Sequence, residues 1–171
     1  TSSTDPEQTI NWALGPQLPD RGDPQRAAVI EFILHVQMCG MNNMHMFGVK
    51  GPDGKLQSVN YGYRSPGGGQ ISMCAMVKAS FSIPAPPAYK KMHAKFDKRF
   101  SSLDKVMNAA NKKHMPGPHY HTTIVAVDPP SQNNGQGALL MNALFRMADA
   151  EGLPCYLECS GKRTRDFYIK Y

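Results

Sequence analysis

Two stretches of the chain carry groups that could do chemistry. In VDPPSQNNGQGALLMNAL (127–144), an apolar strand pattern gives way to two prolines, a run of amides and the glycines Gly135 and Gly137, then to an apolar helix pattern. A helix N-terminus offers unpaired N–H groups and the positive end of the helix dipole, so it holds anions such as phosphate. Glycines lack a Cβ and let the backbone of Gln132, Asn133, Asn134, Gly135, Gln136, Gly137 and Ala138 approach such a group closely. A Walker loop would continue Gly-Lys-Ser/Thr where this chain has Gly137-Ala138-Leu139. A dinucleotide fingerprint would need a third glycine where Leu140 stands, although Glu158 is near the acidic position. Upstream, HYHTTIVAV places His119 and His121 two apart, on one side of a strand. His114 could join them at a metal, but no carboxylate or thiol has matching spacing, so no metal is expected.

These groups need a scaffold, and 171 residues suffice for one domain with a real core. A hydrophobic share of 41% and a charged share of 19% are those of an ordinary globular protein. The net charge of +6 favours an anionic ligand or surface without choosing one. The longest apolar run, 27–36, is broken by Glu31 and too short to span a bilayer, so no membrane association is expected. The first twelve residues show no targeting pattern, and the expected location is cytoplasmic. Cys39, Cys74, Cys155 and Cys159 are scattered and read as reduced core thiols, the last two facing one side of a strand.

Asp23-Pro24 is a helix start, and the pattern that follows stops at Gly40. MHMFGVKGPDGKLQSVNYGYR reads as a hairpin around Pro52-Asp53-Gly54, SPGGG as a flexible break that could serve as a lid or rim, and QISMCAMVKASF as a third strand. After IPAPP, Pro87 opens a helix to about His114 with a core stripe of Met92, Phe96, Phe100, Leu103 and Met107. Eight Lys or Arg residues on it face only Asp97 and Asp104. Without an aromatic or Arg-rich base-reading pattern they read as a solvated face, and nucleic acid is disfavoured. Then come a strand over 120–127, a helix over about 135–151 capped by Gly152, a strand over 155–159 and a last helix from about Thr164. Strand, crossover helix and strand make a parallel pair, so the class is mixed α/β.

The segment His119–Tyr171 closely resembles the second half of the GNAT acetyltransferase superfamily, with wording nearest the puromycin acetyltransferase-like branch. Gln132-x-x-Gly135-x-Gly137 matches that family's acyl-CoA pyrophosphate loop, and ADAEGLPCYLECS and FYIKY are similar to its next strand and its Phe-Tyr helix. The resemblance implies a single GNAT-like domain over 1–171: an acceptor-side half over 1–118 and an acyl-CoA-binding half over 119–171, truncated at both ends relative to the family. It implies an antiparallel N-terminal hairpin followed by a parallel strand-helix-strand unit that binds acetyl-CoA and releases CoA.

The implied activity is acetyl-CoA-dependent N-acetylation of a small primary amine by direct attack in a ternary complex. The alternatives are a protein lysine or N-terminal acceptor, or a non-catalytic module binding acyl-CoA or nucleic acid. The backbone of Val125, Ala126 and Val127 would pair with the pantetheine arm, and Asn133–Ala138 would hold the pyrophosphate. Thr164 stands where the family often has Asn before Phe-Tyr. Tyr168 matches the tyrosine that protonates the departing thiolate. Arylalkylamine acetyltransferases have a similar His-x-His, and in register only His121 coincides with it, Thr123 taking the other position. His121 is the preferred base, Glu158 the second candidate. The acceptor would be selected by about 65–115, and a homodimer is left open.

Overall fold

The computed structural model describes residues 23–69, 72–159 and 161–171. The chain divides into two compact units. One comprises the N-terminal residues to Gly40, Ile71–Lys112 and Cys159–Tyr171; the other comprises Met41–Gln70 and Lys113–Glu158.

The second unit is built on a four-stranded mixed sheet in the order β1-β2-β3-β4. Strand β1 (Met44–Lys50) and strand β2 (Leu56–Ser65) form the expected hairpin, turning where Gly51 N–H donates to the Lys55 carbonyl and Asp53 Oδ1 accepts from Lys55 N–H. Strand β3 (His119–Val127) runs antiparallel to β2, from Ser65↔His119 to Ser58↔Val127. The pairing is irregular once: Tyr61 faces Ile124 and Gly62 faces Thr122, which leaves Thr123 as the extra residue of a bulge. Strand β4 (Cys155–Leu157) lies parallel to β3 through Tyr120↔Cys155, His121↔Tyr156 and Thr122↔Leu157. A parallel pair needs a crossover, and α-helix Gln136–Glu151 supplies it.

That helix turns Leu140, Met141, Leu144 and Ala148 into the core, each at most 2% exposed. The spacing is a helical stripe, and burial of each Leu or Met contributes about 1.5–3 kcal/mol. Its end is fixed by Gly152, whose N–H returns to the Ala148 carbonyl, and by Glu151, which accepts from Tyr120 Oη at 2.6 Å and pairs with Arg64 at 2.8 Å.

Among the described residues the first unit is helical. In chain order the helices of the described residues are α1 (Pro24–Gly40), α2 (Met73–Ser82), α3 (Pro87–His114), the crossover helix α4 (Gln136–Glu151) and α5 (Lys162–Tyr168). Asp23 caps α1 by accepting from Gln25 N–H at 2.8 Å. Val29 of α1 packs with Met92 and Phe96 of α3, and Phe32 meets Tyr89 with ring centroids 4.9 Å apart.

Three expectations need correction. The strand expected over 70–81 is helical from Met73 on, Gln70 and Ile71 lying outside the described residues: Ser72 accepts from Ala75 N–H and starts α2. Met, Ala and Lys favour a helix, Val77 is the one β-branched residue of α2, and Pro84 then holds Ile83 extended. Strand β4 ends at Leu157, so Cys155 and Cys159 do not share a strand face. All four cysteines are free, but Cys39, Cys74 and Cys159 are exposed and Cys155 is half-buried, because they fall near helix ends and strand borders rather than on core stripes.

Candidate active site

One row of side chains crosses three strands of the sheet. Tyr63 of β2 is opposite His121 of β3, which is opposite Tyr156 of β4. Paired residues project to the same face, so the three rings converge: Tyr63 and His121 have centroids 4.7 Å apart, His121 and Tyr156 5.1 Å. Glu158, two residues past Tyr156, reaches the same row.

The row is joined by two short hydrogen bonds. Tyr63 Oη lies 2.6 Å from His121 Nδ1, and His121 Nε2 lies 2.8 Å from Glu158 Oε2. The His121 side chain is only 7% exposed, that of Glu158 23%. Both imidazole nitrogens are therefore occupied by protein partners. Tyr156 flanks the pair; burial first, then the neighbouring Glu158 carboxylate, pushes its phenol up to about 12. It stays protonated at any pH where the other groups work. His119, 1% exposed, donates from Nδ1–H to the Gly117 carbonyl at 2.7 Å, a structural bond that fixes its ring.

The SPGGG segment is no loose break, for it clasps Tyr63. Asn43 Nδ2 donates to the Gly67 carbonyl and Gly69 N–H to the Asn42 carbonyl. At Gly69, with φ +74, any Cβ would strike the Tyr63 ring at 2.6 Å. Glycine there lets the loop press on the ring and hold it against His121.

The other sequence-marked groups follow along β3. Its pairing with β4 stops at Thr122↔Leu157, and Thr123 to Val127, with Val125 and Ala126 between them, continue without a strand on that side among the described residues. They lead to a 3-10 turn at Pro129–Ser131 and to an exposed loop at Gln132, Asn133, Asn134 and Gly135. Asn133 and Gly135 have φ of +64 and +76, which turn the chain into α4. No side chain caps α4 and no acidic residue occupies its first turn. The first N–H returned within the helix is that of Leu139, to Gly135, so the N–H groups of Gln136, Gly137 and Ala138 form its unpaired end. The side chains of the loop are partly committed: Gln132 Nε2 donates to the Val127 carbonyl, and Gln136 is bound to Ser58 and Gln57 of the sheet.

Thus His121 and Glu158 are brought into contact. Thr164 and Tyr168 belong to the helical unit, on α5, where the Tyr168 ring meets Phe167 at 5.1 Å. Burial, and secondarily Cys159, pushes the Tyr168 phenol up. Tyr63 and Tyr156 were not legible as site residues from sequence. Their place depends on the register of β2 against β3 and on the extra residue Thr123, which no local pattern encodes. Among the described residues, no group of three or more His, Cys, Asp or Glu side chains could hold a metal ion, and no helix is long and apolar enough to cross a membrane.

No protein-family model, curated protein or solved structure matches the chain.

Proposed function

We propose that the chain is an acetyl-CoA-dependent N-acetyltransferase of GNAT-like fold acting on a small primary amine. The observation that carries this reading is the end of β4 at Leu157, beyond which β3 runs on to Val127 with no strand on that side among the described residues. It leaves an open strand edge that runs into an uncapped helix N-terminus. An acyl-CoA has amides along one arm, which suit an open edge, and a pyrophosphate, which suits bare N–H groups and the helix dipole. The backbone of Val125, Ala126 and Val127 takes the arm, and the N–H groups of Asn133 to Ala138 take the pyrophosphate.

Bound acetyl-CoA supplies an activated acyl group. The protein mainly holds the amine against it, and proximity alone can lower the barrier by about 7–11 kcal/mol. A backbone N–H near Val127 stabilises charge developing on the carbonyl oxygen. The His121–Glu158 pair would accept the ammonium proton, and Tyr168, by its match to the family tyrosine, would protonate the CoA thiolate. Thr164, one turn before Tyr168, is a cofactor-binding residue by the resemblance alone.

The test is a melting-temperature comparison with acetyl-CoA, dephospho-acetyl-CoA and ATP. At a hundredfold saturation the gain is ~2.7 kcal/mol, a rise of roughly several degrees for a chain of this size. A rise specific to acetyl-CoA supports the reading and leads to an amine-panel assay. Equal rises with ATP, or none with any ligand, would remove its basis.

A further inference from the structure

We propose that Tyr63 is the residue through which the acceptor's proton enters the His121–Glu158 pair, so that the working base is a Tyr63–His121–Glu158 relay. The proposal rests on the acetyltransferase reading above for its substrate, and on hydrogen-bond chemistry for its direction.

The argument begins from the two bonds on His121. An ionised carboxylate only accepts hydrogen bonds, so the 2.8 Å contact with Glu158 Oε2 requires a proton on His121 Nε2. A neutral imidazole carries one proton, which leaves Nδ1 as its only acceptor. That lone pair is already engaged, 2.6 Å from Tyr63 Oη, so the phenol donates to it. The opposite tautomer would turn the bare Nε2 toward a carboxylate. His121 therefore cannot reach an amine directly: one nitrogen holds Glu158, the other Tyr63, and the side chain is 7% exposed. The imidazole's one accepting position, Nδ1, is therefore reached only through the oxygen of the half-buried Tyr63, while Glu158, 23% exposed, holds the other nitrogen. A phenol can donate one hydrogen bond and accept others at once, which is what a relay member needs.

The step balances as a single proton transfer. The acceptor ammonium gives a proton to Tyr63 Oη as the phenol's own proton moves to His121 Nδ1. The amine lone pair is freed for attack, Tyr63 ends neutral as it began, and the imidazolium remains bonded through Nε2–H to Glu158, whose charge stabilises it. The arrangement has the logic of a nucleophile–histidine–carboxylate triad, with a phenol in the outer place. The titratable groups around His121 are Tyr63 from β2, His119 from its own strand, and Tyr156 and Glu158 from β4 and the residue after it. Tyr156, held up at about 12, keeps its proton near neutrality. The Gly67–Gly69 clasp on Tyr63 keeps the phenol in place for the transfer.

Two measurements test this, and they fail separately from the acetyltransferase reading. The first is nitrogen-15 NMR of histidine-labelled protein, with His121→Gln used to assign the signal. The expected result is a proton on Nε2 and an Nδ1 that accepts from Tyr63, with loss of the Nδ1 hydrogen-bond shift in Tyr63→Phe. A proton on Nδ1 in the wild type overturns the proposal, whether or not the protein acetylates anything. The second is turnover. With wild-type protein that acetylates an amine, Tyr63→Phe is expected to lower kcat by about 10²–10⁴-fold, leave the KM for acetyl-CoA unchanged and abolish the solvent isotope effect on kcat. A Tyr63→Phe protein that works within twofold of wild type with the isotope effect intact overturns it. A wild type that neither binds acetyl-CoA nor acetylates amines sinks the parent reading instead, and the NMR result then decides the relay alone.

Discussion

Gln136 opens α4 with its side chain turned back onto the sheet: Oε1 accepts from Ser58 Oγ at 2.9 Å and Nε2 donates to Gln57 Oε1 at 2.9 Å. The residue looked from sequence like part of an anion-binding loop, and its backbone N–H lies at the uncapped start of the helix. Its amide, however, is an anchor that pins the helix start to β2. Ser58 is 3% exposed, so removing its partner strands a buried hydroxyl. Gln136→Ala is therefore expected to cost about 1–3 kcal/mol in urea unfolding. Gln136→Glu, which keeps the acceptor for Ser58 but loses the donor to Gln57, should cost less. If Gln136→Ala leaves stability unchanged, the anchor is not formed in solution.

Gly135 and Gly152 make a matched pair at the two ends of α4. Both have left-handed φ, +76 and +63, and a Cβ at either would meet no heavy atom within 4 Å. Alanine at each therefore costs only the backbone penalty, about 1–2 kcal/mol. They differ in what lies outside the helix. Gly135→Ala puts a methyl group where the pyrophosphate is proposed to approach, whereas Gly152→Ala is at the far end. The expected result of acetyl-CoA titrations at matched stability is weaker binding in Gly135→Ala alone. Equal affinities in the two variants would remove the phosphate from this loop.

Why some features were readable and others not follows from the range of the interactions that create them. The Asp23-Pro24 start of α1, the Pro52-Asp53-Gly54 turn and the Gly152 cap are local, and each appears where its chemistry demands. The parallel β3–α4–β4 unit is nearly as local and was equally legible. The segment 73–82 is a short apolar run whose period fits either a strand or a helix, and its outcome was decided by the Ser72 cap and by packing on α1, where His35 meets Ser82 Oγ at 2.7 Å. In the site, His121 comes from β3 and Glu158 from the residue just after β4, both in one unit, and both were visible as candidates. Tyr63 comes from 58 residues earlier, through a register that Thr123 shifts by one, and so was invisible.

Two groups in the sheet unit give stability opposite slopes with pH. His45 lies edge-on to Tyr120, and burial pulls its imidazole below the ordinary value of 6.5, outweighing the opposing effect of the neighbouring Asn60 amide. Its folded value is depressed, so its contribution is present above 6.5 and lost as pH falls through the folded value. Tyr156 has a raised folded value, about 12 against 10 unfolded, so its contribution is present below 10 and lost as pH rises toward 12. The unfolding free energy should thus decline on both sides. His45→Phe is expected to flatten the acid side only and Tyr156→Phe the alkaline side only, as read by urea midpoints across pH. A Tyr156→Phe curve that keeps the wild-type alkaline slope would place the titration elsewhere, in Tyr120 or Tyr168, whose phenols are also raised.

Tyr168 is the residue on which the catalytic and the merely structural readings diverge most cleanly. Its ring packs on Phe167, and burial raises its phenol, so at neutral pH it holds a proton. A phenol near pKa ~10 or above can still donate to a thiolate generated beside it, because a free thiolate of pKa ~8.5 is a competent base and the donor is positioned rather than dissolved. Phenylalanine at this position keeps the ring and removes only the hydroxyl. If the hydroxyl protonates the leaving group, Tyr168→Phe lowers kcat by about 10²–10⁴-fold while the acetyl-CoA melting shift is unchanged, since binding the cofactor does not use the hydroxyl's proton. The loss should also shrink with acyl donors whose thiols are more acidic, because such leaving groups need less protonation. A uniform loss across donors, or a loss of the melting shift itself, would assign Tyr168 to packing in the helical unit instead.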